Sequence, residues 1–202
     1  AINAGKAVLV EKPFTMNAPE AQRVIEAARA KGVFLMEAMW TRFLPIIART
    51  RALIQSGAIG EPRLVQVDFG FFAAYDPKDR LFAPELGGGA LLDVGVYTTS
   101  FVSMIMGRPE RIKSFARIGE TGVDEENITI MQYPNGAMAS MFSGTRLATS
   151  QEATITGTAG ILRVNRHFYS GDTLTLTPRD ETARGIDVTE TRIITEETDP
   201  NG

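Results

Sequence analysis

The stretch AVLVEKPFT, Ala7 to Thr15, decides how the N-terminal part of the chain folds. Its first four residues, Ala-Val-Leu-Val, are apolar, which is typical of a short strand buried in a parallel sheet. Glu11, Lys12 and Pro13 follow at once. Burying a carboxylate or an amine costs free energy unless the group has a partner. Lys12 also falls at the carboxyl end of the strand, where open α/β sheets bind ligands.

The residues after Thr15 predict a helix and a second strand. Asn17 is a good helix N-cap, and Gly32 is a good terminator for the segment between them. The run VFLMEAMW, residues 33–40, then predicts a strand. Strand, helix and strand at this spacing form a βαβ crossover, so the two strands should be parallel. We therefore expect the end of a doubly wound α/β unit whose beginning is missing, and the absence of an initiator Met agrees with this.

The pattern changes after Trp40. A helix is predicted in LPIIARTRALIQSGAIG (44–60), a long strand in EPRLVQVDFGFFA (61–73), and an apolar helix in ALLDVGVYTTSFVSMIMG (90–107). Five further runs predict strands: RIKSFARIG, ENITIMQYP, AMASMFSGT, QEATITGTAGILRVN and DTLTLTP. Asn135-Gly136 is a strong hairpin signal. The fold class is thus α/β (α+β), with an open-faced, mostly antiparallel sheet packed on helices, and an acidic tail (180–202) that is ordered only in part.

Composition narrows the class of protein. The 202 residues are 44% hydrophobic and 22% charged, with a formal net charge of −3, which is typical of a soluble globular protein. Without a basic cluster we expect no nucleic-acid partner, and without an apolar run near ~18 residues we expect no membrane span. Cysteine is absent, which fits a cytoplasmic location. His167 is the one histidine, so we expect no metal site, and we interpret it as a surface or interface residue.

The apolar helix carries two polar residues on one face. Asp93 and Tyr97 are at i and i+4, with Ser100 below them. Either they are a satisfied core pair or they line a cavity. Gly87 to Gly89, just before this helix, are equally open: they allow close approach of backbone to a ligand, or they form a flexible turn. Lys12 is likewise either a solvated strand-end lysine or a group that donates to a substrate.

The segments AGKAVLVEKPFTMNAPEAQRVIEAARAKGVFLMEAMWTRF and GGGALLDVGVYTTSF together resemble the Gfo/Idh/MocA oxidoreductases. The resemblance covers about residues 1–165 and is nearest to the dihydrodiol dehydrogenase and glucose–fructose oxidoreductase branch. It implies the remnant of an NAD(P)-binding Rossmann domain at 1–41 and a substrate-binding and dimerisation α/β domain at 42–202. It also implies NADP or NAD as cofactor, and hydride transfer at a CH–OH group of a sugar, polyol or cyclic diol.

The resemblance implies roles for individual residues as well. Lys12, Asp93 and Tyr97 correspond to the family's catalytic residues, with Tyr97 at the position where many members carry His. Glu11, Lys12, Pro13, Trp40 and Arg42 correspond to residues that border the cofactor. We expect Lys12, Asp93 and Tyr97 to converge on one cleft.

One departure from the family pattern limits the expected activity. The Gly-rich dinucleotide fingerprint is not in this sequence, so about eighty to ninety residues of a Rossmann half are expected ahead of Ala1. A closing C-terminal segment is expected after Gly202. We predict that the 202-residue piece by itself is inactive.

Two other functions stay open at this point. One is a sugar-binding regulator of the same fold without turnover. The other is an assembly domain that pairs with a second copy through the alternating faces of ENITIMQYP and AMASMFSGT, giving a homodimer or a higher homo-oligomer. An intact amine, carboxylate and phenol favour the enzyme, which could also dimerise.

Overall fold

The structure is a computed structural model, and it describes residues 1–179 and 191–196. The predicted tail, 180–202, lies outside these residues except at 191–196, where Arg192–Thr195 form a strand. The assignment of 1–41 and 42–202 to two domains stays a prediction.

The N-terminal unit is the predicted strand, helix and strand. A 3₁₀ turn (Ile2–Ala4) precedes β1 (Val8–Val10), α1 (Ala18–Lys31) and β2 (Leu35–Glu37), and β1 pairs with β2 in parallel. Asn17 caps α1, because its side chain accepts a hydrogen bond from the Glu20 amide at 3.0 Å. Gly32 ends the helix in the left-handed conformation, with φ of 62°. The parallel crossover is therefore confirmed.

The second strand is shorter than the sequence predicts. It ends at Glu37, and Trp40–Phe43 form a 3₁₀ turn that leads into α2, Pro45–Gln55. The reason is local: the Ala38 amide still bonds to Val10, but the Trp40 amide donates to the Ala38 carbonyl, which turns the chain out of the sheet.

One large sheet makes up the rest of the described chain. Its strands are β3 (Pro62–Gly70), β4 (Arg111–Ile118), β5 (Asp124–Gln132), β6 (Met138–Gly144), β7 (Ala153–Gly157), β8 (Gly160–Val164), β9 (Thr173–Pro178) and β10 (Arg192–Thr195). Their order is β10-β9-β8-β7-β3-β6-β5-β4. Every neighbouring pair is antiparallel except β3 and β6, so the expected mostly antiparallel sheet is confirmed. The strand-like run QEATITGTAGILRVN forms the β7–β8 hairpin.

The apolar helix begins irregularly. A 3₁₀ turn (Pro84–Leu86) precedes a π-helical turn (Leu91–Gly95), and a regular α-helix, α3, follows at Val96–Met106. The expected uniform helix is therefore corrected: Asp93 lies in the π turn and Tyr97 in α3. π turns occur often at functional sites.

Segment Pro84–Met106 also corrects the expectation about apolar runs. Its most apolar window of 18 residues has a mean hydropathy of 1.4, so by length and composition the segment could cross a membrane. Half of that window, however, is buried in the fold. It packs against the sheet, so it is the core helix of the larger unit, and this explains its apolar composition.

The large sheet has two different faces. α2 and α3 cover one face, where the core lies between them and inward residues such as Val65, Ile155 and Leu162. No described element covers the other face of the central strands. All eight residues of edge strand β4 are exposed. The predicted open-faced sheet is thus present.

Candidate active site

Lys12 reaches the start of the apolar helix. Its ammonium Nζ donates to the backbone carbonyl of Asp93 at 2.8 Å and lies 3.5 Å from the Asp93 carboxylate Oδ1. The peptide bond between Lys12 and Pro13 is cis. Only 6% of the Asp93 side chain is exposed, so its negative charge needs these partners. The strand-end lysine is therefore paired with a buried group rather than simply solvated.

Tyr97 lies beside the same ammonium. Lys12 Nζ is 4.9 Å from the centroid of the buried Tyr97 ring, within cation–π range. The Tyr97 hydroxyl accepts a hydrogen bond from the indole Nε1–H of Trp40 at 3.2 Å. The Tyr97 hydroxyl therefore keeps its own proton free to donate to another partner. The structure brings Lys12, Asp93, Tyr97 and Trp40 together, across 81 residues in the case of Lys12 and Asp93.

A residue that the sequence did not single out completes the charged group. Arg80 donates from one terminal guanidinium nitrogen to Asp93 Oδ1 at 2.7 Å, so this oxygen faces two cations. The bond to the Asp93 carboxylate, together with its charge, raises the pKa of Arg80 above its usual value. Nothing in the local sequence marks Arg80, because its contact depends on the path of the loop after β3.

The glycines before the helix hold that loop. A Cβ at Gly88 would lie 2.9 Å from the carbonyl oxygens of Arg80, Leu81 and Ala83. Gly88 therefore lets the backbone of the Arg80–Ala83 loop pack closely against it. The Gly88 amide also donates a hydrogen bond to the Ala83 carbonyl. Of the two interpretations left open, the structure supports close backbone approach, but to the protein's own loop.

The π turn is also fixed from the sheet. The Asp124 carboxylate, on β5, accepts from the Leu91 amide at 2.9 Å and from the Asn127 side-chain amide at 2.6 Å. Burial raises the pKa of Asp124, although both hydrogen bonds act in the opposite direction. This contact ties the first turn of the Asp93 segment to the sheet.

Aromatic rings form one wall beside Tyr97. Tyr169, in the β8–β9 connection, stacks on Phe69 with centroids 4.0 Å apart and lies 5.8 Å from the Tyr97 ring. Burial raises the pKa of Tyr169, and Tyr97 adds to this. His167, two residues earlier, is exposed and has a left-handed φ of 63°. It contacts Tyr169 edge-on, and the structure gives it no place beside Lys12.

The other proposed cofactor residues are placed differently. Arg42 donates to the Ser100 hydroxyl at 3.0 Å and to its carbonyl at 3.3 Å, one turn beyond Tyr97. It lines a cleft of about 440 Å³ between β2 and α3, whose lining includes neither Lys12 nor Tyr97. Glu11 is exposed and Pro13 is partly buried at the end of β1. Arg42 thus fastens the 3₁₀ turn to α3, while Trp40 reaches the site.

The arrangement supplies an acid–base group and positive charge in one place. A phenol that already accepts one hydrogen bond can pass its proton to a ligand oxygen, and general acid–base catalysis needs such a group within hydrogen-bond reach. A nearby ammonium stabilises negative charge that develops on that oxygen. Among the described residues no group of three or more His, Cys, Asp or Glu could hold a metal ion.

Comparison with known proteins shows the family to which the chain belongs. Residues 47–163 match the GFO/IDH/MocA C-terminal domain, and residues 1–39 match the oxidoreductase family with an NAD-binding Rossmann fold. Trans-1,2-dihydrobenzene-1,2-diol dehydrogenase from Mus musculus is 39% identical over 165 residues, covering 81% of this chain and 49% of the relative. The Xenopus tropicalis enzyme of that name is 42% identical over 169 residues, covering 82% and 50%.

Solved structures show the same fold. An NAD-binding oxidoreductase from Klebsiella pneumoniae superposes with a TM-score of 0.79 at 26% identity, over 93% of this chain and 55% of that one. A 3-ketoreductase from Actinomadura kijaniata, solved with NADP, gives 0.80 at 25% identity, over 96% and 59%. The matched models describe a family of oxidoreductases with an NAD-binding Rossmann fold. The chain belongs to the Gfo/Idh/MocA family, and it spans about half the length of the curated relatives it matches.

Proposed function

We propose that this chain carries the substrate site of an NAD(P)-dependent dehydrogenase that acts on a CH–OH group of a sugar, polyol or cyclic diol. The observation that carries the proposal is the convergence of Lys12, Asp93 and Tyr97, with Trp40 bonded to the Tyr97 hydroxyl. Relatives named as dihydrodiol dehydrogenases support the substrate class. A binding protein without turnover has no need of an amine and a phenol so placed.

Tyr97 is the proton donor or acceptor in this proposal. In the oxidative direction, the substrate hydroxyl loses its proton to the phenolate form of Tyr97, while the carbon loses hydride and becomes a carbonyl. The Trp40 N–H donates to the Tyr97 oxygen and so holds it in place for this transfer. In the reductive direction the Tyr97 hydroxyl returns the proton to the carbonyl oxygen.

Lys12 and Asp93 act together. The ammonium of Lys12 holds the reacting oxygen through a hydrogen bond and offsets negative charge on it. Its position is set by the Asp93 carbonyl at 2.8 Å and by the nearby carboxylate. Asp93 is therefore placed to orient Lys12.

The nicotinamide end of a dinucleotide fits the ends of β1 and β2. Parallel α/β sheets bind such ligands beyond the carboxyl ends of their strands, and Lys12 and Trp40 lie just after those ends. Glu11, Pro13 and Trp40 would border the nicotinamide, and Arg42 would hold the Trp40 turn. When bound, NAD(P) supplies the hydride acceptor or donor.

The proposal is tested with the complete product of the gene that encodes this chain. The purified protein is assayed for reduction of NADP⁺ and NAD⁺ with trans-dihydrodiols, aldoses and polyols as separate substrates. We expect turnover with at least one class, and loss of that turnover in Lys12→Met. Binding of these compounds without turnover by either cofactor would support the regulator instead.

A second proposal is assembly through the open sheet face. Phe115 (76% exposed) pairs across β4 and β5 with Ile128, and Ile130 on β5 and Met138 on the neighbouring β6 are half exposed. Apolar side chains grouped on an uncovered face mark protein–protein contacts. In a twofold homodimer the same patch of each copy would pair with the other.

Phe115→Glu tests the assembly. We expect sedimentation of the wild-type protein as a dimer or larger, and of Phe115→Glu as a smaller species. Leu86→Glu is the control, because Leu86 is also exposed but lies in the 3₁₀ turn Pro84–Leu86, outside the sheet. A monomeric wild-type protein would rule out this interface.

A further inference from the structure

Arg80 is held in place by its loop rather than by chance contact. The Leu81 amide donates to the Asp79 carboxylate at 2.8 Å, and the Phe82 amide donates to the Asp79 carbonyl at 2.9 Å, which makes a tight turn around Arg80. Phe82 is completely buried and packs edge-on against Tyr75. The backbone of Arg80 is thus anchored on both sides, although 64% of its side chain is exposed.

The Asp93 carboxylate is shared unequally. Its Oδ1 is 2.7 Å from Arg80 but 3.5 Å from Lys12. The short bond of Lys12 goes instead to the backbone carbonyl of Asp93. A carboxylate that is 6% exposed would move onto its nearest cation, because a buried charge without a close partner is costly. In this structure that nearest cation is Arg80.

We propose that Arg80 is a positioning residue that keeps the Asp93 carboxylate from closing on Lys12. The Lys12 ammonium then stays on the Asp93 carbonyl, over the Tyr97 ring, with donors left for a ligand oxygen. Without Arg80 the carboxylate closes on Lys12 in a direct ion pair, and the amine is drawn away from Tyr97. The inference rests on the proposed function only in treating Lys12 as a residue of the site.

The first test reads the state of Lys12 without any activity. The complete gene product is labelled with a trace amount of acetic anhydride, and acylation of Lys12 is quantified by mass spectrometry against the other lysines. Acylation needs an accessible amine, and an amine closed in a direct ion pair with a carboxylate is shielded from the reagent. We expect Arg80→Gln to lower Lys12 labelling about twofold to fivefold, the range that partly exposed ion pairs produce.

Two variants make the result specific. Arg80→Lys restores most of the labelling, because an ammonium can still hold the carboxylate. Arg63→Gln leaves it unchanged: Arg63 is half exposed and bonds Glu61 at 2.9 Å, so the same charge and a similar ion pair are lost away from the site. Equal Lys12 labelling in wild type and Arg80→Gln, with an unchanged urea midpoint, would overturn the proposal.

The second test uses turnover of the complete gene product. We expect Arg80→Gln to lower kcat about tenfold, with little change in the cofactor Kd, and Arg80→Lys to recover most of it. An unchanged kcat would overturn the positioning role. If the wild-type protein shows no oxidoreductase activity, the proposed function fails, and the labelling experiment still decides what Arg80 does.

Discussion

Tyr97→Phe is the sharpest single test of the site, because it removes one oxygen atom from a ring that stays in place. The ring is 7% exposed and packs against Phe69 and Trp40, so phenylalanine keeps these contacts. The lost contact is the hydrogen bond from Trp40 Nε1 at 3.2 Å. Trp40 is 42% exposed, and its N–H can bond to water instead. We therefore expect a loss of about 0.5 kcal/mol in the free energy of unfolding, at the low end for a hydrogen bond.

The expected effect on turnover is much larger. General acid–base catalysis contributes ~10²- to 10⁴-fold, which corresponds to ~2.7–5.5 kcal/mol of activation free energy. In the complete gene product, Tyr97→Phe should lower kcat by at least ~10²-fold and leave the cofactor Kd nearly unchanged. The assay follows the absorbance of the reduced nicotinamide under saturating substrate.

Tyr133→Phe is the matched control. Tyr133 is a buried phenol whose hydroxyl contacts the Met131 sulfur, and burial raises its pKa. It lies in the β5–β6 hairpin, so its loss should alter stability without altering kcat. If Tyr97→Phe keeps wild-type kcat, the proton passes through Lys12 or water, and the role given to Tyr97 is wrong.

Three further predictions concern the chain itself. Gly88→Ala should lower the free energy of unfolding, as measured by urea unfolding, by about 1–3 kcal/mol, because its Cβ would meet three carbonyl oxygens at 2.9 Å. Gly57→Ala is the control for backbone strain: a Cβ there meets no atom within 4 Å, but the φ of 77° is left-handed. Burial raises the pKa of Asp124, so the wild type should lose stability relative to Asp124→Asn as the pH rises from about 4 through that raised pKa. The measurement is the urea midpoint of each protein across this pH range. A constant difference between the two midpoints would contradict the prediction. The 202-residue chain should show no measurable NADPH or NADH binding, because its sequence contains no Gly-x-Gly-x-x-Gly dinucleotide fingerprint. A fluorescence titration that gave micromolar affinity would refute this.

Local patterns in the sequence carry most of the secondary structure. Asn17 and Gly32 bound α1 as predicted, and Asn135-Gly136 joins β5 and β6, with Gly136 at φ of 80°. These features depend on neighbouring residues alone. The parallel pairing of β3 with β6 is different. It joins segments some seventy residues apart, and no turn signal between them specifies it.

The site divides in the same way. The i, i+4 spacing placed Asp93 and Tyr97 near one another, but only the family resemblance joined them to Lys12. Neither the spacing nor the resemblance pointed to Arg80. Its contact with Asp93 depends on a loop whose path is set by the buried Phe82 and by Gly88. A buried anchor in a loop cannot be read from periodicity, since a loop has none.

The candidate site is also where the two structural units meet. Lys12 and Trp40 come from the strand–helix–strand unit and the turn after it, whereas Asp93 and Tyr97 come from the helix of the larger unit. The hydrogen bonds between them, from Lys12 to Asp93 and from Trp40 to Tyr97, are partly exposed. Each therefore contributes about 0.5–1.5 kcal/mol to the stability of the fold.

The smaller unit has little core of its own to add to these contacts. In residues 1–38 the one buried apolar side chain is Ala28, while Leu9 and Phe34 are about 60% exposed. A parallel sheet is ordinarily covered on both faces, and here two strands carry apolar residues that the described chain leaves uncovered. The position of Lys12 therefore depends on two sets of contacts, those with Asp93 and those that any layer over Leu9 and Phe34 would make. Burial of that surface should fix Lys12 more firmly over Tyr97, so formation of the site would be coupled to burial of Leu9 and Phe34.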